Sequence, residues 1–501
     1  MESVSEIEAL RTNGGSDPIQ DDEIVRVAQP DTPYALSTQI KFDSVSNVTI
    51  EFEDRKAADG NAVLKAADGS NVGGFWFGLE TQCSDVRVVN YGFDGNHPNQ
   101  DQTVKRLHGI LVNKVDTAEI VTPYLTRTSP YQEHNSGGSG ISIEPQATDV
   151  IVKNPRIDDI GDRGIQFAGD RVQILGGYYT NGYDRHVAAV LQRKVQNHND
   201  YAARDWHVES CFFGSSSDGS FTGVGSGQRS DRGYGIITDC QGVGTAKSFT
   251  HAVGGSGLDG WIKIVDNEGR GGGVMDGVWY DDGEIGRLVV QNNHFENYVR
   301  GFRVTDGVSN WISKNNEYIN CDGPGILLKN SGNGIARGDI IKGCDDGIYI
   351  DTASGVDMCW DEISNCTEYG IALLTNASGF IGGGTVRDNQ QGDATGPEIL
   401  TRGNAVLRDI YVPSINGDVA LLQDGGSPSF VNLNIPLGGS AANFSSLAPA
   451  RLHDCPHLRL QVAPSAPNTG DQAMQDGTNW NPTGSGNIQP VYYDGTAWGA
   501  F

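Results

Sequence analysis

Three short stretches bring carboxylates together with groups that can partner them. "RIDDIGDRG" holds Asp158, Asp159, Asp162 and Arg163; "YDRH" holds Asp184, Arg185 and His186; "WYDDGE" sets Asp281 and Asp282 beside Trp279 and Tyr280. Cleaving a glycosidic bond by hydrolysis takes two carboxyl groups across it, about 5–5.5 Å apart for retention and about 6.5–9.5 Å for inversion. Asp159, Asp162, Arg163, Asp281 and Asp282 are therefore the candidate catalytic set. A plainer reading stands against it, because aspartate is a common turn residue and this chain is rich in it. The aromatic residues nearby offer a second chemistry: sugar rings stack on exposed aromatic faces while amides and carboxylates bond the hydroxyls. Tyr178, Tyr179, Tyr183, Trp206, Trp279 and Tyr280 are the candidate ligand contacts, whereas Trp261, directly after Gly260, is expected to point inward. His134 and His186 stand alone without metal spacing, and "FDGNHPN", with Asp94 and His97, reads as a turn.

Side chains so scattered need a repeating scaffold to align them. "GFRV", "GILL", "GIYI" and "GIAL" begin at Gly301, Gly325, Gly347 and Gly370, in steps of 24, 22 and 23 residues. A fixed period near that length signals a solenoid. Glycine-led runs at Gly334, Gly355 and Gly379 mark further corners where φ can be positive, so three short strands per turn are predicted. Such strands bury nothing alone and must pair with the next coil at roughly 4.8 Å along the axis. The spacing thus predicts a parallel β-helix, right-handed by the crossover rule, with Ile326, Ile348 and Ile371 stacked inside. Cys321, Cys344 and Cys366 recur in register and are expected inside as small hydrophobes. Cys83, Cys211, Cys240, Cys359 and Cys455 show neither ligand nor disulfide spacing. The earlier markers, Gly109, Gly140, Gly164, Gly235 and Gly260, are less even, and the loop 214–233 is expected on the binding face.

Composition narrows the function classes. Over 501 residues there are 63 acidic and 36 basic side chains, a formal net charge of −27, and 68 glycines. Phosphate binding needs a basic stripe and none is visible, which excludes nucleic acid as a partner. An acidic excess spread along the chain suits a salt-loving source, because molar salt shrinks the Debye length to roughly 3 Å; an ordinary acidic secreted protein is the alternative. No run approaches the roughly 20 apolar residues of a membrane span. The opening "MESVSEIEALRTNGG" has neither a basic region nor an apolar run, so synthesis in the cytoplasm without a signal peptide is expected. Residues 1–22 read as an arm or adaptor separate from the body, and 23–460 as the β-helix. The Pro- and Gly-rich 461–501, with "DGTNW" and "YYDGTAW", reads as two tight hairpins.

With these elements in place, a likeness emerges. "NVTIEFED", "VVNYGFDGNHPN", "HGILVNKVDTAEI" and "SGISIEPQATDVIVKNPRIDDIGDRGIQF" resemble the pectate-lyase-like right-handed β-helix superfamily, which includes polysaccharide lyases, glycoside hydrolases and the tail spikes of tailed viruses. Of the polygalacturonase-like signature only Asp-Asp is present, without Gly-His-Gly or Arg-Ile-Lys. The calcium-dependent pectate lyases use clustered acids for the metal and an arginine as base, and "DDIGDR" offers both groups. No motif specific for calcium or any other cofactor is found. The closing "YYDGTAW" resembles the C-terminal tags of viral fibres and spikes, with a haloarchaeal tailed virus as the preferred source. The resemblance implies a virion surface spike, whether tail spike, fibre or capsid decoration, that binds host cell-surface glycans, with glycan cleavage left open. It further implies a parallel homotrimer held by the C-terminal module, with other virion proteins met through the N-terminal arm. The alternative is a secreted or cell-surface polysaccharide lyase or glycoside hydrolase.

Overall fold

The computed structural model describes residues 1–11, 15–101, 107–128, 138–161, 163–182, 185–189, 191–192, 201–214, 221–226, 234–244, 246–253, 257–273, 275–281, 285–305, 308, 310–389, 397–412, 419–423, 427–434, 443–444, 451–453, 459–460, 472–475, 483 and 489–500. They form two compact bodies, the first of residues 1–274 with 284–286 and the second of 275–283 with 287–501. Both are parallel β-solenoids. Among the described residues the one α-helix is Val4–Ala9, and no helix is long and apolar enough to cross a membrane.

In the first body each coil holds three short strands, as in Ile110–Val112, Val115–Val121 and Tyr124–Thr126. Successive coils pair parallel and in register: Ile40, Phe75, Ile110, Ile141, Ile165 and Val187 form one inward column. Alternate residues of each strand face inward, and the first coils are filled by Phe42, Phe52, Phe75, Phe77, Tyr91 and Phe93, all buried. Their rings meet in stacked and edge contacts, such as Phe42 on Phe77 at 4.8 Å. Each such ring contributes roughly 1.5–3 kcal/mol through burial alone.

The second body shows the period most plainly. Phe302, Ile326, Ile348, Ile371 and Ile399 stack in one buried column, as their spacing predicts. The marker glycines are explained by close approach, not by backbone hand. A Cβ on Gly325 would lie 2.4 Å from Ile341 Cγ2 and 3.0 Å from the Gly347 carbonyl oxygen. Gly355 and Gly379 do take positive φ, at +68° and +135°, whereas Gly334 is glycine because a Cβ there would overlap the Trp311 ring. Cys321, Cys344 and Cys366 are buried and two residues beyond paired strand positions, in equivalent places on successive coils. The sulfur contact with Cys344, followed by burial, pushes the Cys321 thiol well above its ordinary pKa.

Corners are carried mostly by Asn and Asp in the left-handed region, including Asn90, Asn154, Asp239, Asn292, Asn315 and Asn320. These residues tolerate that conformation because their short polar side chains bond locally. Part of the Asp content is thereby structural.

The two chain ends are held in different ways. Residues 1–11 are docked on the first coils: the helix is capped by Ser3, Ile7 and Leu10 are buried, and Glu8 accepts hydrogen bonds from the Ser37 and Thr38 amides at 2.8 and 3.1 Å. Burial of that apolar face ties the segment down. At the other end a small sheet contains Arg459–Leu460, Gln472–Gln475, Gln489–Tyr493 and Trp498–Ala500, the last three antiparallel. "YYDGTAW" forms the expected hairpin, with Asp494 Oδ1 accepting from the Thr496 and Ala497 amides at 2.7 and 2.8 Å. "DGTNW" with Trp480, like Cys455, lies outside the described residues.

Candidate functional site

The acidic stretch of the first body lies on strand Arg156–Ile160 and the strand after it, Arg163–Phe167. Asp158 faces outward, and its Oδ1 accepts from Thr180 Oγ1 at 2.7 Å and Asn181 Nδ2 at 2.8 Å. Asp159 occupies a corner at φ +53°, its carbonyl bonded to the Arg127 amide at 2.9 Å. The neighbouring His97 imidazole, whose Nε2 stands 3.9 Å away, holds the Asp159 carboxyl below its ordinary pKa. A general acid needs the opposite shift. Arg163 donates to Gln166 Oε1 at 2.9 Å, and Gln166 donates on to Ser142 Oγ at 2.8 Å. Asp281 is half-buried in the second body. Asp162 and Asp282, with Tyr183, Asp184 and His134, fall outside the described residues, as does most of the loop 214–233. Of the candidate catalytic carboxylates, Asp159 thus stands in the first body and Asp281 in the second.

Strand alternation sorts the aromatic candidates. Tyr179, Trp206 and Tyr280 are buried, so their faces are core and cannot meet a ligand from outside. In each Tyr178-Tyr179 and Trp279-Tyr280 pair the first ring points out and the second in, because successive strand residues face opposite sides. Trp261 is the converse: it stands outward against Tyr234 while Ile262 fills the core. Trp279 is half-buried with the Arg303 guanidinium 4.4 Å from its ring centre. His186 is buried and held neutral, its pKa driven well down by desolvation. Asp94 lies in the expected turn, buried, accepting from the Asn96 amide at 2.7 Å and paired with Arg127.

Tyr178 is the candidate that the structure places in a cleft. A cleft of about 470 Å³ on the first body is lined by Arg55, Thr122, Asn154, Pro155, Arg156, Gly177 and Tyr178. Its floor is a run of corners: Thr122, Asn154 and Gly177 all take positive φ. Beside it runs an outward column in strict register, Tyr124, Arg156, Tyr178 and Phe212 on four successive coils. The Arg156 guanidinium carbon lies 5.9 Å from the ring centres of both Tyr124 and Tyr178. Tyr178 stacks on Phe212 at 4.9 Å with the ring planes 2° apart, and Lys56 Nζ sits 4.9 Å from the Tyr124 centre. Tyr178 is thus flanked by Arg156 on one side and Phe212 on the other. It is 44% exposed.

Arg55, Lys56, Tyr124, Asn154, Arg156 and Phe212 escape sequence reasoning. They fall on coils separated by unequal lengths of chain, so no fixed period connects them. Only the alternation beside Tyr179 and Phe213 offers a signal, and it identifies outward residues without saying which coil abuts which.

For a cation, Asp345, Asp346 and Glu368 in the second body bring carboxylate oxygens within 4.8 Å of one another. Burial, followed by the two neighbouring carboxylates, raises Asp346 to about 7, so protonation of this residue relieves the crowding.

Residues 254–409 match the family model described as right handed beta helix region. No curated protein sequence matches the chain. Among solved structures, the PfbA surface adhesin of Streptococcus pneumoniae is similar at 13% identity and a TM-score of 0.47, over 80% of this chain and 87% of that one. A mutant tailspike protein of an E. coli bacteriophage, in complex with a hexasaccharide, is similar at 12% identity and a TM-score of 0.45, over 82% and 75%. The mannuronan C-5 epimerase A-module of Azotobacter vinelandii is similar at 13% identity and a TM-score of 0.23, over 89% of each chain.

Proposed function

We propose that this chain is a carbohydrate-binding β-helix whose ligand lies in the Tyr178 cleft. The observation that carries this reading is the lining itself. Two arginines, Asn154, Thr122 and an exposed tyrosine line it beside Pro155, in a volume within the roughly 300–1,000 Å³ of small-molecule sites. Such a set suits a hydroxylated ligand, because amides and guanidinium groups bond hydroxyls in fixed directions.

The finer reading is a virion surface spike for attachment to host glycans, assembled as a parallel homotrimer. Its support is the small terminal sheet, whose Tyr492, Tyr493 and Trp498 have little body of their own to bury them. Copies around an axis would also multiply a weak glycan site by avidity, roughly 10²–10⁴-fold. The alternative is a secreted lyase or hydrolase.

The test is a glycan array followed by titration calorimetry in molar salt, with N154A and Y178A beside the parent chain and reducing ends assayed in parallel. Binding weakened about tenfold or more by either substitution, without release of reducing ends, is the expected result. Release of reducing ends would favour the enzyme, and hits indifferent to both substitutions would remove the cleft from consideration. Light scattering that returns the mass of one chain would remove the trimer.

A further inference from the structure

We propose that the sugar recognised in this cleft is anionic, carrying a carboxylate or sulfate that Arg55 and Arg156 hold. The inference rests on the reading of the cleft as a carbohydrate site and names the class of its ligand.

The argument begins with charge. In a chain with 63 acidic and 36 basic residues, an arginine finds a carboxylate easily. Arg127, Arg171, Arg300, Arg337 and Arg387 have each done so. Arg55 and Arg156 have not: among the described residues neither forms an ion pair, and the seven residues lining their cleft include no carboxylate. Asp158, the acid two residues from Arg156 on the same face, is bonded instead to Thr180 and Asn181. Two arginines lining one concavity repel each other, and a shared anion removes that cost.

Position supplies the second support. Arg156 is held between the rings of Tyr124 and Tyr178, at 5.9 Å from each centre, by strand pairing on both sides. Attraction to the ring faces keeps the guanidinium charged and in place while leaving its N–H donors for a planar or tetrahedral anion. A charge-assisted, forked hydrogen bond of this kind discriminates strongly against a neutral hydroxyl. Lys56, 4.9 Å from the Tyr124 centre, sets a second cation against that ring.

The experiment compares three hexasaccharide probes by titration calorimetry on the full chain: a galacturonate hexamer, a sulfated galactose hexamer and the neutral galactose hexamer. The parent chain is measured beside R55Q, R156Q and Y178A, each first shown by its circular dichroism spectrum and melting curve to be folded. The expected result is tighter binding of at least one anionic probe than of the neutral one, by about tenfold or more, with that preference lost on R55Q or R156Q. Y178A should weaken every probe that binds. The two anionic arms separate carboxylate from sulfate recognition. Equal binding of neutral and anionic probes, unaffected by R55Q and R156Q but weakened by Y178A, would overturn the anionic assignment and leave the carbohydrate site standing. Failure of all three probes to bind, together with an empty glycan array, would overturn both.

Discussion

Asp339 is the clearest case of one side chain at odds with its surroundings. It is buried in the second body, where its Oδ1 accepts from the Asn316 amide at 2.8 Å and from Asn316 Nδ2 at 3.0 Å, while Oδ2 has no partner. Burial raises its pKa to about 6, and burial with two acidic neighbours raises Asp346 to about 7. In the unfolded chain both titrate near the ordinary carboxylate value of about 3.9. The folded state therefore holds more protons between these limits, so the stability they confer is full below about pH 4 and is lost as pH rises through 6 and 7. Carboxylates held low by partners, such as Glu119 beside Lys153 and Arg87, act in the opposite sense at lower pH. The expected outcome is that the fall in unfolding free energy between pH 5 and pH 8 shrinks in the D339N/D346N variant, by on the order of 4 kcal/mol. Urea titrations at the two pH values measure it, and an unchanged slope would show that both groups are ionised throughout.

Among the elements, the inward isoleucine column bears directly on cohesion between coils. Ile348 is fully buried between Ile326 and Ile371, and none of these strands can bury a face without its neighbours. Ile348→Ala should cost about 2–4 kcal/mol, since the space left is walled by rigid strands that close poorly. Tyr349→Ala, on the outward side of the same strand, should cost clearly less. Denaturant midpoints of the two variants decide the matter, and equal losses would mean that the column is not what holds the coils. This column was legible in the sequence because the second body inserts little between strands and the period survives. The cleft in the first body was not. Arg156 and Tyr178 become neighbours across one coil step, and Tyr178 and Phe212 across another of different length, so their contact is settled by pairing register alone.

At the scale of the whole molecule, charge sets the working conditions. A net −27 on corners rich in Asp makes coils repel over a Debye length of about 30 Å at roughly 10 mM salt and about 3 Å at 1 M. The melting temperature is expected to rise by several degrees between low and molar potassium chloride, and a flat profile would remove the salt-loving reading. The same screening should weaken an anionic probe at the exposed Arg156 edge, so affinity and stability are expected to move in opposite directions with salt.

The sequence by itself determined the class of fold and the stacking of Ile326, Ile348 and Ile371, because each depends on residues close in the chain or repeated at an even interval. Period and turn chemistry are local properties. Tertiary structure decided which of Tyr178, Tyr179, Trp206, Trp279 and Tyr280 face solvent, docked the N-terminal helix on the first coils, and brought Arg55 to the cleft of Arg156. Those outcomes depend on strand register and on coils separated by loops of unequal length, quantities set by the packing of the whole solenoid.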